Sequence, residues 1–252
     1  MGTYKCTSED EKEFLKNYDA SKYERPSVTA DIIVFTIDDD DALSLLLIRR
    51  GGYPYKGYWA IPGGFLNAGA ESIDEAAARE LREETNVDHA FLQQLYTFGN
   101  PGRDPRTTVI SVAYTALIPK NELHIKAGDD ASEAALFKIK YDIGGIVFYN
   151  DRNTITEAEL AFDHAEIIRT AITRLRNRID YEPDAFSLLK DKEAFTISEL
   201  KRIYETIKNT TLDLPNFRKT FLRNYVETGR VEALDTTAAT RGRSARLYRF
   251  IG

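Results

Sequence analysis

The chain has 252 residues, 42% hydrophobic and 29% charged, a globular composition that excludes fibrous and disordered classes. It is long enough for one large domain or two of ordinary size. The net charge of −6 hides an asymmetry: residues 190–252 hold 13 Lys/Arg against 8 Asp/Glu, while residues 1–189 hold 21 against 32. A basic C-terminal quarter on an acidic body implies two modules with different partners. The longest apolar runs, 31–37 and 43–48, fall far below the ~20 residues of a membrane helix. The N-terminus has no apolar signal core, so a cytoplasmic protein without membrane attachment is expected. A single cysteine, Cys6, cannot form an internal disulfide, and three scattered histidines exclude a zinc site of the Cys/His type.

In chain order, residues 8–18 read as a short charged helix and Pro26 marks entry to the first domain. Val28–Ile37 is rich in β-branched residues and reads as a buried strand; the Asp38–Asp41 turn leads to a partner strand over Leu43–Arg49. The four aspartates lack the alternating ligands and closing glutamate of a calcium loop and read as a solvated turn. After a Gly/Pro/Tyr-rich stretch over 51–71, Ser72 and Glu75 make a capping box that opens a helix over Ile73–Thr85. Strands are expected at 91–98, 108–118 and 134–139, which makes the region before residue 150 a mixed α/β layered domain.

A helical pattern returns over 157–180, with apolar residues at Ile167, Ile168, Ala171, Ile172 and Leu175, and Glu182-Pro183 ends it. Thr196 and Glu199 form a second capping box for a helix over Ile197–Lys208. Asp213 caps a further helix reaching about Glu227, with Pro215 in its first turn and Gly229 as its C′ residue. Two short strands, 230–234 and 246–250, flank a polar loop containing arginines. Helix, turn, helix and a two-stranded wing is a winged-helix pattern. The expected division is an α/β domain over 1–155, a connecting helix over 156–185 and a winged helix over 186–252.

The helix over 73–85 carries a physical problem. Glu80, Glu83 and Glu84 fall at i, i+3 and i+4, within an arc of roughly 80°. Like charges at those spacings repel, and the helix C-terminus disfavours negative charge. Their stripe continues from Ile73 and Ala77 and so faces the protein body. A hard divalent cation would offset these penalties. The glycines of Pro62-Gly63-Gly64 permit close backbone approach to a metal or a phosphate.

The segment from Gly64 through Glu71 and Arg79-Glu80-Leu81-Arg82-Glu83-Glu84 to Val87 closely resembles the Nudix box. That box is the signature of hydrolases acting on nucleoside diphosphates linked to another moiety. The spacing from Gly64 to Glu71 is one residue longer than the family pattern, and Asn86 stands where the family has a glycine. The resemblance implies an α/β/α sandwich with a mixed sheet, with Glu80, Glu83 and Glu84 binding Mg²⁺ or Mn²⁺. It further implies that Arg79 orients a carboxylate and that the Gly63/Gly64 backbone supplies an oxygen to the metal. The implied chemistry is attack of a metal-activated water on a pyrophosphate phosphorus. One glutamate of the helix, or Glu133, is the candidate general base.

Downstream, Arg103 and Arg106 stand three apart on a Pro/Gly loop and could grip a diphosphate; the alternative is a surface loop in which an aspartate pairs with an arginine. This stretch, with Gly128-Asp129-Asp130-Ala131 and Leu160-Ala161-Phe162-Asp163-His164, resembles the NrtR group of Nudix-related regulators and the neighbouring ADP-ribose pyrophosphatases. The ligand-binding candidates are Arg49, Phe65, Arg103, Arg106 and His164. Candidate DNA contacts are Asn216, Arg218, Lys219 and Arg223 on the second helix of the winged domain, and Arg241, Arg243 and Arg246 on its wing. The resemblance implies a homodimeric regulator of NAD-metabolism genes that senses ADP-ribose, binds a double-stranded operator and, with its acidic core intact, retains pyrophosphatase activity. A dedicated hydrolase whose C-terminal domain serves dimerisation is the rival reading, and a catalytically inactive sensor of another sugar nucleotide is the third.

Overall fold

The computed structural model describes residues 5–87, 90, 92–125, 131–238 and 244–252. Its first helix, α1 (Glu9–Asn17), buries no side chain. At the centre of the fold lie β1 (Ser27–Ile37) and β2 (Leu43–Arg50), paired antiparallel. Two short strands flank them: β3 (Trp59–Ala60) pairs with β2, and β4 (Gly63–Phe65) pairs with β1. Then come α2 (Ile73–Thr85), β5 (Leu92–Phe98), β6 (Val109–Leu117), β7 (Ala131–Asp142), β8 (Gly145–Tyr149), β9 (Thr154–Thr156) and α3 (His164–Arg178). The strand order is β5-β6-β1-β2-β7-β8-β9, with β1 and β6 parallel, so the sheet is mixed.

β1 is buried from Thr29 to Thr36 because both its faces are covered. Ile33 and Phe35 pack with Ile167, Ile168 and Ala171 of α3, while Ala30, Ile32 and Val34 pack with Ala76, Ala77 and Leu81 of α2. Successive side chains on a pleated strand point to opposite faces, so one buried run serves two helices.

α2 runs as its capping signals require. Ser72 Oγ accepts from the Glu75 N–H at 3.2 Å, and the Glu75 carboxylate accepts from the Ser72 N–H at 2.7 Å. Asn86 closes the helix in the left-handed conformation, φ 55°, taking the role of the glycine it replaces. α3 starts seven residues later than its sequence pattern suggests. Residues Glu157–Glu159 form a short 3₁₀ turn, the Ala161 N–H donates to the Trp59 carbonyl at 2.7 Å, and Phe162 adopts φ 53°. Pairing to β3 and a left-handed residue cannot coexist with a continuous helix.

The C-terminal region is a winged helix: α4 (Ile197–Lys208), α5 (Leu214–Phe221), then β10 (Val231–Ala238) paired antiparallel with β11 (Ala245–Phe250). The second helix predicted to reach about Glu227 is interrupted, because Leu222–Val226 winds as a π-turn. Phe186, Phe195, Phe221, Tyr225 and Tyr248 form the centre of this region and join the apolar cluster beneath α3. Polar contacts add to the junction: Arg176 Nε donates to the Ile207 carbonyl at 2.9 Å, Lys208 pairs with Asp180 at 2.7 Å, and Thr206 Oγ1 donates to the Asp41 carbonyl at 2.9 Å. The aspartate turn is not simply solvated: Asp38 and Asp40 pair with Lys138, Asp39 with Lys120, and Asp41 lies 3.5 Å from Arg202 of α4, so the turn docks the winged helix through side chain and backbone.

Candidate functional site

Between β1, β4, α2 and the loop after β5 lies a cleft of about 610 Å³. β1 contributes Thr29 and Asp31, β4 contributes Gly63, Gly64 and Phe65, and α2 contributes Arg79, Glu80, Glu83 and Glu84. Arg103, Asp104, Arg106, Phe162 and His164 close the opposite wall.

Arg79 is the hub of the acidic wall. Its Nε and Nη2 donate to the two carboxylate oxygens of Glu71 at 3.1 and 2.9 Å, and Nη2 also reaches the Phe65 carbonyl at 3.2 Å. Nη1 donates to Glu80 at 2.6 Å and lies 3.6 Å from Glu83. The guanidinium holds the Glu71 carboxyl far below the usual range, at about 2. Burial pushes the Glu80 carboxyl upward, against the pull of Arg79. The residue added between Gly64 and Glu71 is absorbed in a turn: Asn67 accepts from the Ala70 N–H at 2.9 Å, Gly69 adopts φ +83°, and the Glu71 carboxylate takes the Asn67 N–H at 3.0 Å. Glu71 thus meets Arg79 despite the longer spacing.

The donors suit a hard divalent cation. Glu80 and Glu84 are buried with their carboxylates in a shared cleft with the half-exposed Glu83. A Cβ at Gly64 would collide with the Glu80 carboxylate, and one at Gly63 would lie 2.6 Å from the Ala30 carbonyl. The glycines are needed here for close approach, and the backbone and carboxylate oxygens they bring together are the ligand chemistry such cations favour. Among the described residues, no group of three or more His, Cys, Asp or Glu is gathered tightly enough to hold a metal. Arg79 supplies positive charge against Glu71, Glu80 and Glu83.

The opposite wall is also internally paired. Arg103 forms a two-pronged contact with Asp163, at 2.8 and 2.6 Å, and its side chain is only 5% exposed. Arg106 does the same with Asp104, at 3.0 and 2.7 Å, while lying over the rings of Phe65 and Phe162 at 5.4 and 5.9 Å. In this structure each arginine fork engages an aspartate of the chain itself. His164 is buried, and its Nδ1 accepts the Ile61 N–H at 3.1 Å. Burial lowers its pKa from the ordinary histidine value.

Arg49 stands outside the lining. It donates to the Gly57 carbonyl at 3.1 Å, lies 6.0 Å from the Trp59 ring and faces Glu133 at 3.8 Å. Strand alternation turns Arg50, like Ile48, into the cleft instead, where it lies 4.9 Å over Phe162. Glu133, paired with Arg49, is not among the lining residues either. Sequence reading passed over Asp31, Arg50 and Asp163. Asp31 had a signal: it is a carboxylate in the middle of an apolar strand, held by the Ser111 hydroxyl and 3.9 Å from Arg103.

On the winged helix, Asn216, Arg218, Lys219 and Arg223 are exposed along α5 and its continuation. Arg246 donates to the Leu234 carbonyl at 3.1 Å across the wing. Arg241 and Arg243 lie outside the described residues, as do Gly128, Asp129 and Asp130.

The chain matches two known domain families: the NUDIX domain over residues 26–140 and the NrtR DNA-binding winged helix domain over residues 185–250. It is 34% identical over 244 residues to the ADPR responsive transcriptional repressor NtrR of Acinetobacter baylyi, covering 95% of this chain and 88% of that protein. Against the ADP-ribose pyrophosphatase of Methanocaldococcus jannaschii it is 38% identical over 161 residues, 63% of this chain and 82% of that one. Its fold matches the crystal structure of Shewanella oneidensis NrtR complexed with a 27mer DNA, with a TM-score of 0.66 and 27% identity over 89% of this chain and 93% of that chain. The NUDIX domain of the same NrtR, complexed with ADP ribose, matches with a TM-score of 0.51 and 30% identity, covering 67% of this chain and 99% of that chain.

Proposed function

This chain belongs to the NrtR-type branch of the Nudix family, and on that premise we propose that it is a transcriptional regulator that senses ADP-ribose and retains metal-dependent ADP-ribose pyrophosphatase activity. The observation that carries this reading is the joining, through the two faces of one sheet, of an acidic cleft with all three α2 glutamates to a winged helix with an exposed cationic α5. In this reading, sensing falls to residues 1–155, connection to 156–185 and DNA reading to 186–252.

Glu80, Glu83 and Glu84, with the Gly64 backbone, are the residues to hold Mg²⁺ or Mn²⁺. When bound, such a cation acidifies a water and shields charge on a pyrophosphate. Arg79 keeps Glu71 ionised and fixes the loop that carries Phe65. Arg50, Arg103 and Arg106 give the opposite wall positive charge suited to a diphosphate. Phe65 and Phe162 offer ring faces to the rest of the ligand. Hydrolysis at the pyrophosphate would convert ADP-ribose and water to AMP and ribose 5-phosphate.

On DNA, Asn216, Arg218, Lys219 and Arg223 would enter a groove, with Arg241, Arg243 and Arg246 on the flanking wing. A homodimer would read two half-sites about 34 Å apart. The match to the A. baylyi repressor along nearly the whole chain supports this reading over a hydrolase whose C-terminal domain only dimerises.

The deciding experiment is ADP-ribose turnover by the purified protein with Mg²⁺, beside Glu83→Gln. Turnover by the parent protein and its loss in the variant support a working hydrolytic site. Absence of turnover with ADP-ribose still raising the melting temperature would leave a sensor without catalysis. Neither turnover nor a thermal shift would overturn the ADP-ribose reading.

A further inference from the structure

Four of the five α-helices described here are capped by a side chain that accepts an N–H of their first turn: Ser8 for α1, Ser72 for α2, Thr196 for α4 and Asp213 for α5. The longest, α3, is the exception. Asp163 occupies its N-cap position, a residue type well suited to the task, yet its carboxylate makes no capping bond. Both its oxygens are taken by Arg103, which is almost wholly buried and lines the cleft. The other end of α3 touches the winged helix: Arg176 donates to the Ile207 carbonyl in the last turn of α4, and Asp180, just beyond α3, pairs with Lys208. At 1.5 Å per residue, the fifteen residues of α3 span ~22 Å between these two sets of contacts.

We propose that Asp163 is a two-position switch connecting the cleft to the DNA-reading domain. In one position it holds Arg103; in the other it caps α3. The proposal rests on the reading of the cleft as a diphosphate site. An anionic diphosphate entering the cleft competes with Asp163 for the Arg103 guanidinium. The released carboxylate then turns to the Ala165 N–H, which has no acceptor among the described residues while His164, Glu166 and Ile167 donate to the Ala161 and Asp163 carbonyls, at a helix end whose dipole favours negative charge. The ligand binds better to the capped state, in which Arg103 is free, and that difference in affinity is what a population shift requires. Arg174, whose Nη1 donates to the Leu95 carbonyl of β5 at 2.6 Å, fixes the C-terminal third of α3 against the sheet. Movement at the Asp163 end is thereby passed to the α4 end about this anchor.

Asp163→Asn separates the two positions, because asparagine caps helices well but cannot form the charged fork with Arg103. Amide exchange would be followed at Ala165, with and without ADP-ribose. DNA affinity would be measured on a duplex enriched by the parent protein from a random library. In the parent, ADP-ribose should slow exchange at that amide several-fold and change DNA affinity. In Asp163→Asn, the amide should be protected without ligand. ADP-ribose should bind roughly fivefold tighter or more, and should alter DNA affinity by less than about twofold. Asp163→Ala, which can neither cap nor hold Arg103, should also lose the coupling, but without the added protection.

Full coupling in Asp163→Asn, with the parent responding normally, would overturn the switch and leave the regulator reading intact. A parent protein that enriches no duplex, or whose DNA affinity ignores ADP-ribose, would overturn both.

Discussion

The backbone N–H of Ile61 donates to Nδ1 of His164 at 3.1 Å, tying the segment between β3 and β4 to the first turn of α3. The acceptor role of Nδ1 places the proton of the neutral ring on Nε2. Burial lowers the folded-state pKa, so protonation is unfavourable in the folded protein and becomes favourable on unfolding. The stability held by neutral His164 is complete above the unfolded histidine pKa of about 6.5 and is lost as pH falls through the lower folded value.

Thermal unfolding between pH 7.5 and pH 5 should therefore show an acid-side loss of stability in the parent that Asn at position 164 removes, since its side-chain oxygen can still accept from Ile61. His164→Ala should cost about 1–3 kcal/mol at neutral pH by leaving the Ile61 N–H without an acceptor. Equal acid sensitivity in the parent and His164→Asn would refute the assignment.

A second pH signature belongs to Glu71. Its carboxyl is held down to about 2 by Arg79, below the unfolded value near 4.5. Its contribution to stability is present above the unfolded value and disappears as pH falls toward the folded one. Glu71→Gln should flatten that part of the melting-temperature profile. The variant should also lose turnover, because Arg79 would no longer be anchored beside Glu80.

Gly64 tests the close approach in the acidic wall. A Cβ there collides with the Glu80 carboxylate. Gly64→Ala should weaken divalent-cation binding by roughly 10–100-fold, as measured by calorimetry, a loss typical of disturbed ligand positioning. Its position is in the turn-facing strand β4 and not the core, so the melting temperature of the metal-free protein should move little by comparison. Unchanged cation affinity would remove Glu80 from the ligand set.

Arg218 and Lys219 separate DNA binding from hydrolysis. Replacing both with alanine should weaken binding to any duplex and reduce the slope of log affinity against log salt by about 2. ADP-ribose turnover should stay at the parent level. A salt slope equal to the parent's would place the phosphate contacts elsewhere on the winged helix.

Much of the architecture was legible because its determinants are local. The Ser72–Glu75 and Thr196–Glu199 boxes, Asp213 and the left-handed Asn86 mark helix ends within a few residues of sequence. β3 and β4, two and three residues long, were not visible because they exist only through pairing with β2 and β1. The start of α3 was misplaced for the same kind of reason: the bond from Ala161 to Trp59 spans the whole domain and outweighs a favourable local helical pattern. Within the cleft, the α2 carboxylates declared themselves by their mutual repulsion. The Arg103–Asp163 pair depends on a contact between distant parts of the chain that no periodicity encodes, whereas the inward face of Arg50 follows from strand alternation with Ile48.

The turn that absorbs the extra residue before Glu71 has a practical use. Ala68, Gly69 and Ala70 are exposed at the lip of the cleft, beside Asn67, which lines it. The load on this segment falls on Asn67, Gly69 with its positive φ, and Glu71, while the exposed Ala68 side chain is free to vary. With Cys6 as the chain's only thiol, a Cys6→Ser background with cysteine at position 68 would carry a single fluorophore at the entrance. The loop thereby offers an optical gauge of ligand entry, independent of both turnover and DNA.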